Sequence, residues 1–185
     1  MNLDTFTTLI SRRTIHTFLS EEVSEETLQR GLEAAIRAPN HKLTNPWRFL
    51  RLGPELRPEI EEICVATKLA SKQPLPGLEE RVRAKFAHPA EIFVILQVLA
   101  TDPFRQKEDY ASVACAIQNF SLALWAEGVG SKWSTGGFTR ADETYSLLEL
   151  DRESEEILGF LFVGIPAEIP ETPRKPVSEI YRVTK

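Results

Sequence analysis

Two runs, "EIFVILQVLA" from Glu91 and "EILGFLFVGIP" from Glu156, constrain this chain more than anything else in it. Each is apolar at successive positions rather than at alternate ones, and the first is rich in β-branched residues. Both therefore read as strands buried on both faces. A sheet built on such strands needs cover above and below. Neither run is long enough to cross a bilayer, so both belong to a core. At 185 residues the chain can bury one, and a single folded unit over 1–185 is expected, without internal repeats.

The cover comes from helical patterns. Phe6, Leu9 and Ile10 share one face of an opening helix, and Thr14 to Phe18 then reads as extended, so Arg12 and Arg13 lie where the backbone changes direction. Ser24 is the expected N-cap of a second helix. Glu25 and Glu26 suit its positive end, and Leu28, Leu32 and Ile36 follow until Pro39. "NHKLTNP" is a polar loop, and "WRFLRL" from Trp47 alternates as a strand with Trp47 and Phe49 on one face. A helix is expected from Pro54 to about Ser71, then a mobile break at "KQPLPG" and a charged helical segment near Leu78 to Phe86. Tyr110, Val113, Ala114, Ile117, Ser121 and Leu124 make the stripe of a long core helix ending at Gly128. "SKWSTGGF" is extended with a Gly turn, and Thr139 with Asp142 three residues on predicts a capping box. The tail from about residue 166 has too many prolines to fold on itself. Ile180, Tyr181 and Val183 give it something to dock with, and it is expected to reach another subunit.

Charge and motif narrow the function. A net charge of -5 argues against a general nucleic-acid binder, which needs a concentrated basic face. The opening "MNLDTFTTLISRR" lacks the basic start and long apolar stretch of a signal peptide, so a cytoplasmic protein without a membrane span is expected. Cys64 and Cys115 each fall in an apolar helical pattern and read as buried reduced thiols rather than a disulfide, a metal site or a nucleophile. No Gly pattern of a Rossmann phosphate turn is present, and "GVGSKWS" lacks the Gly-Lys-Ser order of a P-loop. His16, His41 and His88 have no metal-ligand spacing, and no Gly-x-Ser-x-Gly elbow places a serine nucleophile.

What persists is a set of cationic and hydrogen-bonding residues at element ends: Arg12, Arg13, Thr14, Arg37, His41, Trp133, Ser134, Thr135 and Arg174. The stretches "SRRTIHTF", "AAIRAPNHKLTNPWRF", "GVGSKWSTG" and "GFLFVGIP" followed by "PRKP" occur in that order. Together they resemble the nitroreductase family of FMN-dependent oxidoreductases, especially its short bacterial members with Ala-Pro-x-His-Lys before a Pro-Trp pair. The resemblance covers nearly the whole chain. It implies an α+β three-layer sandwich, a mainly antiparallel sheet flanked by helices, in an intertwined homodimer with two flavin sites at the interface. It implies FMN as cofactor and NADH or NADPH as electron donor.

Residue by residue, the resemblance implies that Arg12, Arg13 and Thr14 hold the phosphate and ribityl end of FMN, with Arg174 helping to clamp the phosphate. Guanidinium forks match phosphate oxygens, which supports that role; Arg174 also reads as solvated surface. Arg37 and His41 would face the flavin of the partner subunit. The helix dipole gives Arg37 a plainer reading, and an ordinary polar loop gives one to His41. Asn40 and Asn45 are weaker candidates from that loop, and Pro46 and Trp47 set and pack it. Trp133, Ser134 and Thr135 would present backbone groups and a side-chain edge to the isoalloxazine ring, although Trp133 reads equally as core with its indole N–H paired internally. Asn119 reads as a satisfied buried amide outside the site.

His16 stands where larger family members often carry lysine, which would make flavin reduction pH-sensitive if the imidazole touches the ring. Leu43 and Asn45 also depart from the family pattern. The implied chemistry is ping-pong. A nicotinamide gives a hydride to flavin N5 and leaves, and a nitroaromatic, quinone or enone takes its place, so no protein nucleophile is needed. Rival readings are a flavin-binding or regulatory protein of the same fold without efficient turnover, and a structural domain without cofactor.

Overall fold

The two apolar runs lie side by side in a four-stranded antiparallel sheet of order β1-β2-β4-β3. Its strands are β1 (Trp47–Arg51), β2 (Glu91–Val98), β3 (Gly130–Ser134) and β4 (Glu155–Gly164). The computed structural model describes residues 4–70 and 76–184, and most of the expected "KQPLPG" break lies outside them.

Period-two alternation sends the central strands' side chains into two separate cores. Ile92, Val94 and Leu96 of β2 join Phe160 and Phe162 of β4 on one face, with Ile60 and Cys64 of α3 (Arg57–Leu69), Val82 of α4 (Leu78–Arg83) and Tyr145 of α6 (Asp142–Leu147). Phe93, Ile95, Leu161 and Val163 point the other way. They meet Leu28 and Ala35 of α2 (Glu25–Ala35) and Val113, Ile117, Phe120 and Leu124 of α5 (Pro103–Ala126). The result is three layers, with helices on both faces of the sheet. Each fully buried Ile, Leu or Phe contributes about 2 kcal/mol, which makes these two clusters the main source of stability.

Local chemistry sets the helix ends. Ser24 caps α2 as expected, its hydroxyl accepting from the Thr27 N–H at 3.1 Å. Asp102 does the same for α5 toward Phe104 at 3.1 Å, with Pro103 in the first turn, so α5 begins well before its apolar stripe. Asp4 caps α1 (Thr5–Ser11) through the N–H groups of Phe6 and Thr7. Pro54 lies in a turn, and α3 starts only at Arg57, with Pro58 in its first turn.

Three expectations need correction. The capping box does not form: the Thr139 hydroxyl donates to the Gly136 carbonyl at 2.8 Å, and the Asp142 carboxylate pairs with Arg152 at 2.8 Å. A 3-10 turn over Gly137–Arg140 intervenes before α6, so Thr139 is already inside a helical turn rather than ahead of one. Cys64 is buried, but Cys115 is exposed, because it sits on the side of α5 turned away from the sheet. The apolar face of α1 is likewise uncovered, with Phe6 69% and Ile10 57% exposed.

The β3 edge is where the fold prepares a site. The extended segment Thr14–Phe18 runs beside it, bridging Thr14 to Ser131 in parallel and Phe18 to Pro166 in antiparallel sense. Gly130 permits this approach, since a Cβ there would stand 2.5 Å from Ile15 Cγ1. The tail leaves from the same place. The Ala167 N–H donates to the Thr17 carbonyl at 3.0 Å, and every described residue from 171 onward is exposed.

Candidate functional site

The first cluster gathers where α1 ends. Arg13 folds back so that Nη1 donates to the Ile10 and Arg12 carbonyls at 2.8 and 2.9 Å, satisfying the negative end of the helix. One cation suffices for that, and the Arg12 side chain has no hydrogen-bond or ion-pair partner among the described residues. Burial lowers the Arg12 pKa, and the nearby charges of Arg174 and Arg13 lower it further. Arg174 reaches this place from the tail, its Nη1 donating only to the Pro173 carbonyl at 3.3 Å. Among the described residues no carboxylate lies within 4.0 Å of Arg12, Arg13 or Arg174, although Glu171 shares a cleft with Arg13 and Ser11. Three guanidinium groups with no counter-ion suit a dianionic phosphate.

From Arg12 the segment continues past Thr14, which is exposed, to His16, and alongside it β3 runs to Ser134 and Thr135. Ser134 is half-buried and Thr135 exposed at the strand's end, where backbone and hydroxyl groups meet solvent. Trp133 pairs its indole N–H internally while remaining 38% exposed. Its indole N–H donates to the Leu158 carbonyl at 3.1 Å, at the bulge where β4 slips register against β2. Gly159 makes room for it, since a Cβ there would fall 2.3 Å from Trp133 Nε1. Only the outer part of Trp133 faces solvent.

Three residues that the sequence reading passed over also converge here. Lys132 lies on β3 opposite Phe162, and so faces the α3–α4 side of the sheet. Lys85 follows α4, and Lys68 closes α3, its Nζ 3.8 Å from where a Gly136 Cβ would be. Burial and then the charges of Lys132 and Lys85 hold His16 below its usual pKa, so the imidazole is neutral near pH 7. Lys132 was visible as the polar alternate of Trp133 in "SKWSTGGF". Lys68 and Lys85 carry no local signal, because each ends an ordinary charged helix.

Arg37 and His41 belong elsewhere in the protomer. Arg37 follows α2 and lines a groove with Thr5, Thr8 and Leu9 of α1 and Asn119 of α5. Asn119 donates to the Ala34 carbonyl at 3.2 Å, and so ties the end of α2 to α5, as a satisfied amide should. His41 opens a 3-10 turn (His41–Leu43), its Nδ1 3.1 Å from Glu108 Oε1. A compact network holds this loop. The Asn40 side chain accepts from the Asn45 N–H at 2.7 Å and donates to the Thr44 hydroxyl, which donates to the buried Asp109 carboxylate at 2.6 Å. Lys42, Leu43 and Asn45 all have positive φ, a conformation that L-residues adopt only under such restraint.

The long helix measures the separation of these groups. Ser11, next to Arg12, accepts from the Trp125 indole at 2.9 Å, whereas His41 contacts Glu108. Those anchors are seventeen residues apart on one continuous α5, which is about 25 Å. Within one protomer His41 and Arg12 therefore cannot hold the same mononucleotide.

Known proteins place the geometry in context. The family model described as the Nitroreductase family matches residues 9–165. The chain is 29% identical over 171 residues to the Bacillus subtilis (strain 168) protein named "Putative NAD(P)H nitroreductase YfhC", covering 89% of this chain and 86% of that one. Among solved structures, the nitroreductase-like family protein from Bacillus cereus superposes with a TM-score of 0.85 at 24% identity, over 100% of this chain and 98% of the other. The NADPH:FMN oxidoreductase from Vibrio harveyi complexed with NAD+ gives 0.78 at 20% identity, over 98% and 77%.

Proposed function

The chain belongs to the nitroreductase family, and from that premise we propose that it is an FMN-dependent oxidoreductase. In ping-pong order it takes electrons from NADH or NADPH and passes them to a nitroaromatic, quinone or related acceptor. The observation that carries this reading is the meeting of Arg12, Arg13 and Arg174 with no carboxylate within 4.0 Å among the described residues, beside an open strand end. FMN has the matching form, with a dianionic phosphate at one end and a flat ring at the other. Bound there, it would supply the redox chemistry by accepting a hydride at N5 and releasing it to the acceptor.

The protein's part is to hold and to tune. Arg12 and Arg174 neutralise the phosphate, Arg13 adds charge while closing α1, and Thr14 offers a hydroxyl along the ribityl chain. Ser134 and Thr135 present the end of β3 to the ring. His16 and the lysines beside it supply positive potential where the ring gains negative charge on reduction, so the neutral imidazole need not act alone. Arg37 and His41 complete the site from a second copy of the chain, in keeping with the distance of His41 from Arg12 along α5. The uncovered faces of α1 and of the tail, with Tyr181 67% exposed, support a homodimer in which the tail crosses over.

Two readings test this. Purified protein takes up FMN and turns yellow, and anaerobic NADPH or NADH bleaches it, with colour returning when an acceptor is added. A protein that binds FMN but stays oxidised is a binder without turnover. One that remains colourless in excess FMN overturns the assignment.

A further inference from the structure

Resting on the flavin reading above, the geometry points to a second recognition element in the same site. We propose that Lys68, poised over the Gly136 turn at the end of β3 and backed by Lys85 and Lys132, receives an acidic substituent of the molecule that stacks on the flavin. The ligand class is thus an aromatic or nicotinamide compound bearing a carboxylate, sulfonate or phosphate, rather than a neutral one.

The charge pattern carries this inference. Lys68, Lys85 and Lys132 come from α3, from the turn after α4 and from β3, and their charges all act on the buried Cys64 thiol between them. All three are half-buried, and none is within 4.0 Å of a carboxylate among the described residues. Glu61, a carboxylate that also acts on Cys64, is engaged by Arg83 at 3.0 Å. Burial, and then the charge of Lys85, lower the Lys132 pKa.

Supply exceeds the cofactor's own demand. The phosphate of FMN is matched by the three arginines, and two-electron reduction adds one negative charge to the ring. One lysine answers that charge, and two remain. Lys68 is the one placed at the turn that ends β3, its Nζ 3.8 Å from the Cβ position of Gly136, one residue beyond Thr135. A group projecting past the edge of the ring meets it there. Glycine at 136 keeps the approach open, and with φ at 152° a side chain at that position would be strained.

Binding to the oxidised, FMN-loaded protein tests the proposal without turnover. Titration calorimetry at low salt compares 4-nitrobenzoate with its neutral methyl ester, and NADP+ with NAD+, on the wild type, Lys68→Gln and Lys68→Arg. The acid is expected to bind about tenfold tighter than the ester. In Lys68→Gln the ratio falls to within about twofold, and Lys68→Arg restores it. Because the ratio is read, a general loss of binding in a variant cancels. If the Lys68-dependent preference appears only in the NADP+ and NAD+ pair, the acidic group is the donor's extra phosphate, which supports the same chemistry from the other source. A ratio near one in both pairs, or a preference indifferent to residue 68, overturns the proposal while leaving the flavin reading intact. Failure to take up FMN at all, seen beforehand by absorbance, overturns both.

Discussion

Arginines in two regions of this molecule live under different conditions. Away from β3, Arg51 lies 2.7 Å from Glu25, Arg57 3.2 Å from Glu91, and Arg83 3.0 Å from Glu61. Beside β3, Arg12, Arg13 and Arg174 crowd one another, with no carboxylate within 4.0 Å among the described residues. Paired surface charges add little to stability, and their loss is a folding matter. Unpaired charges pressed together oppose folding unless an anion joins them. The difference teaches that a site can be located by the counter-charge the protein itself withholds.

The sharpest test of that contrast is Arg12→Ala. We expect FMN affinity to fall about 100-fold, measured by fluorescence titration, since a charge-assisted fork to phosphate is lost. The thermal midpoint of the FMN-free protein should not fall, because removing one of three crowded cations relieves repulsion. A loss of stability as large as the loss of affinity would break the comparison. Arg57→Ala gives the opposite pattern. Its side chain donates to the carbonyls of Pro89 and Ala90, just ahead of β2, at 3.3 and 2.9 Å, so denaturant unfolding should show a loss of about 2 kcal/mol with FMN affinity unchanged.

Arg174→Ala is expected to weaken FMN about tenfold, less than Arg12→Ala, because Arg174 is exposed on the tail and part of its charge is screened. The same titration reads it, and an effect equal to that of Arg12 would make the tail a full partner in the clamp. The smallest effect belongs to His16. Its pKa is lowered in the folded state, so between that value and the unfolded value of about 6.5 the unfolded chain binds more protons. Stability tied to His16 is therefore complete above about 6.5 and is lost as the pH falls through the folded value. Thermal midpoints of FMN-free protein at pH 5.5 and 7.5 should differ slightly more for the wild type than for His16→Gln. Equal differences would remove His16 from the cation cluster.

Much of the frame was legible because it rests on local periodicity. The Ser24 cap, the continuous β2 and β4 runs and the long helix each declare themselves within a dozen residues. The ordered motifs named Arg12, Arg13, Thr14 and Arg174 as one group, and the fold brings them together. Legibility failed where a residue's role depends on what covers it. Cys115 has an apolar neighbourhood in the sequence yet faces outward, and Thr139 has capping-box spacing but already lies in a 3-10 turn. The sequence carries no sign that the Trp133 indole N–H is paired, because its partner, the Leu158 carbonyl, is supplied by the bulge at Gly159.

The sequence by itself determined which stretches become the main strands and helices, and which face of the central strands and of α2 turns inward, because side-chain period and capping chemistry act over a few residues. The tertiary structure alone decided that Lys68, Lys85 and Lys132 share one place, that Arg13 spends its donors on α1 while Arg12 does not, and that His41 lies about 25 Å from Arg12 along α5. Those facts join residues distant in the chain. No local pattern encodes them, since they arise only when packing fixes the direction and spacing of whole elements.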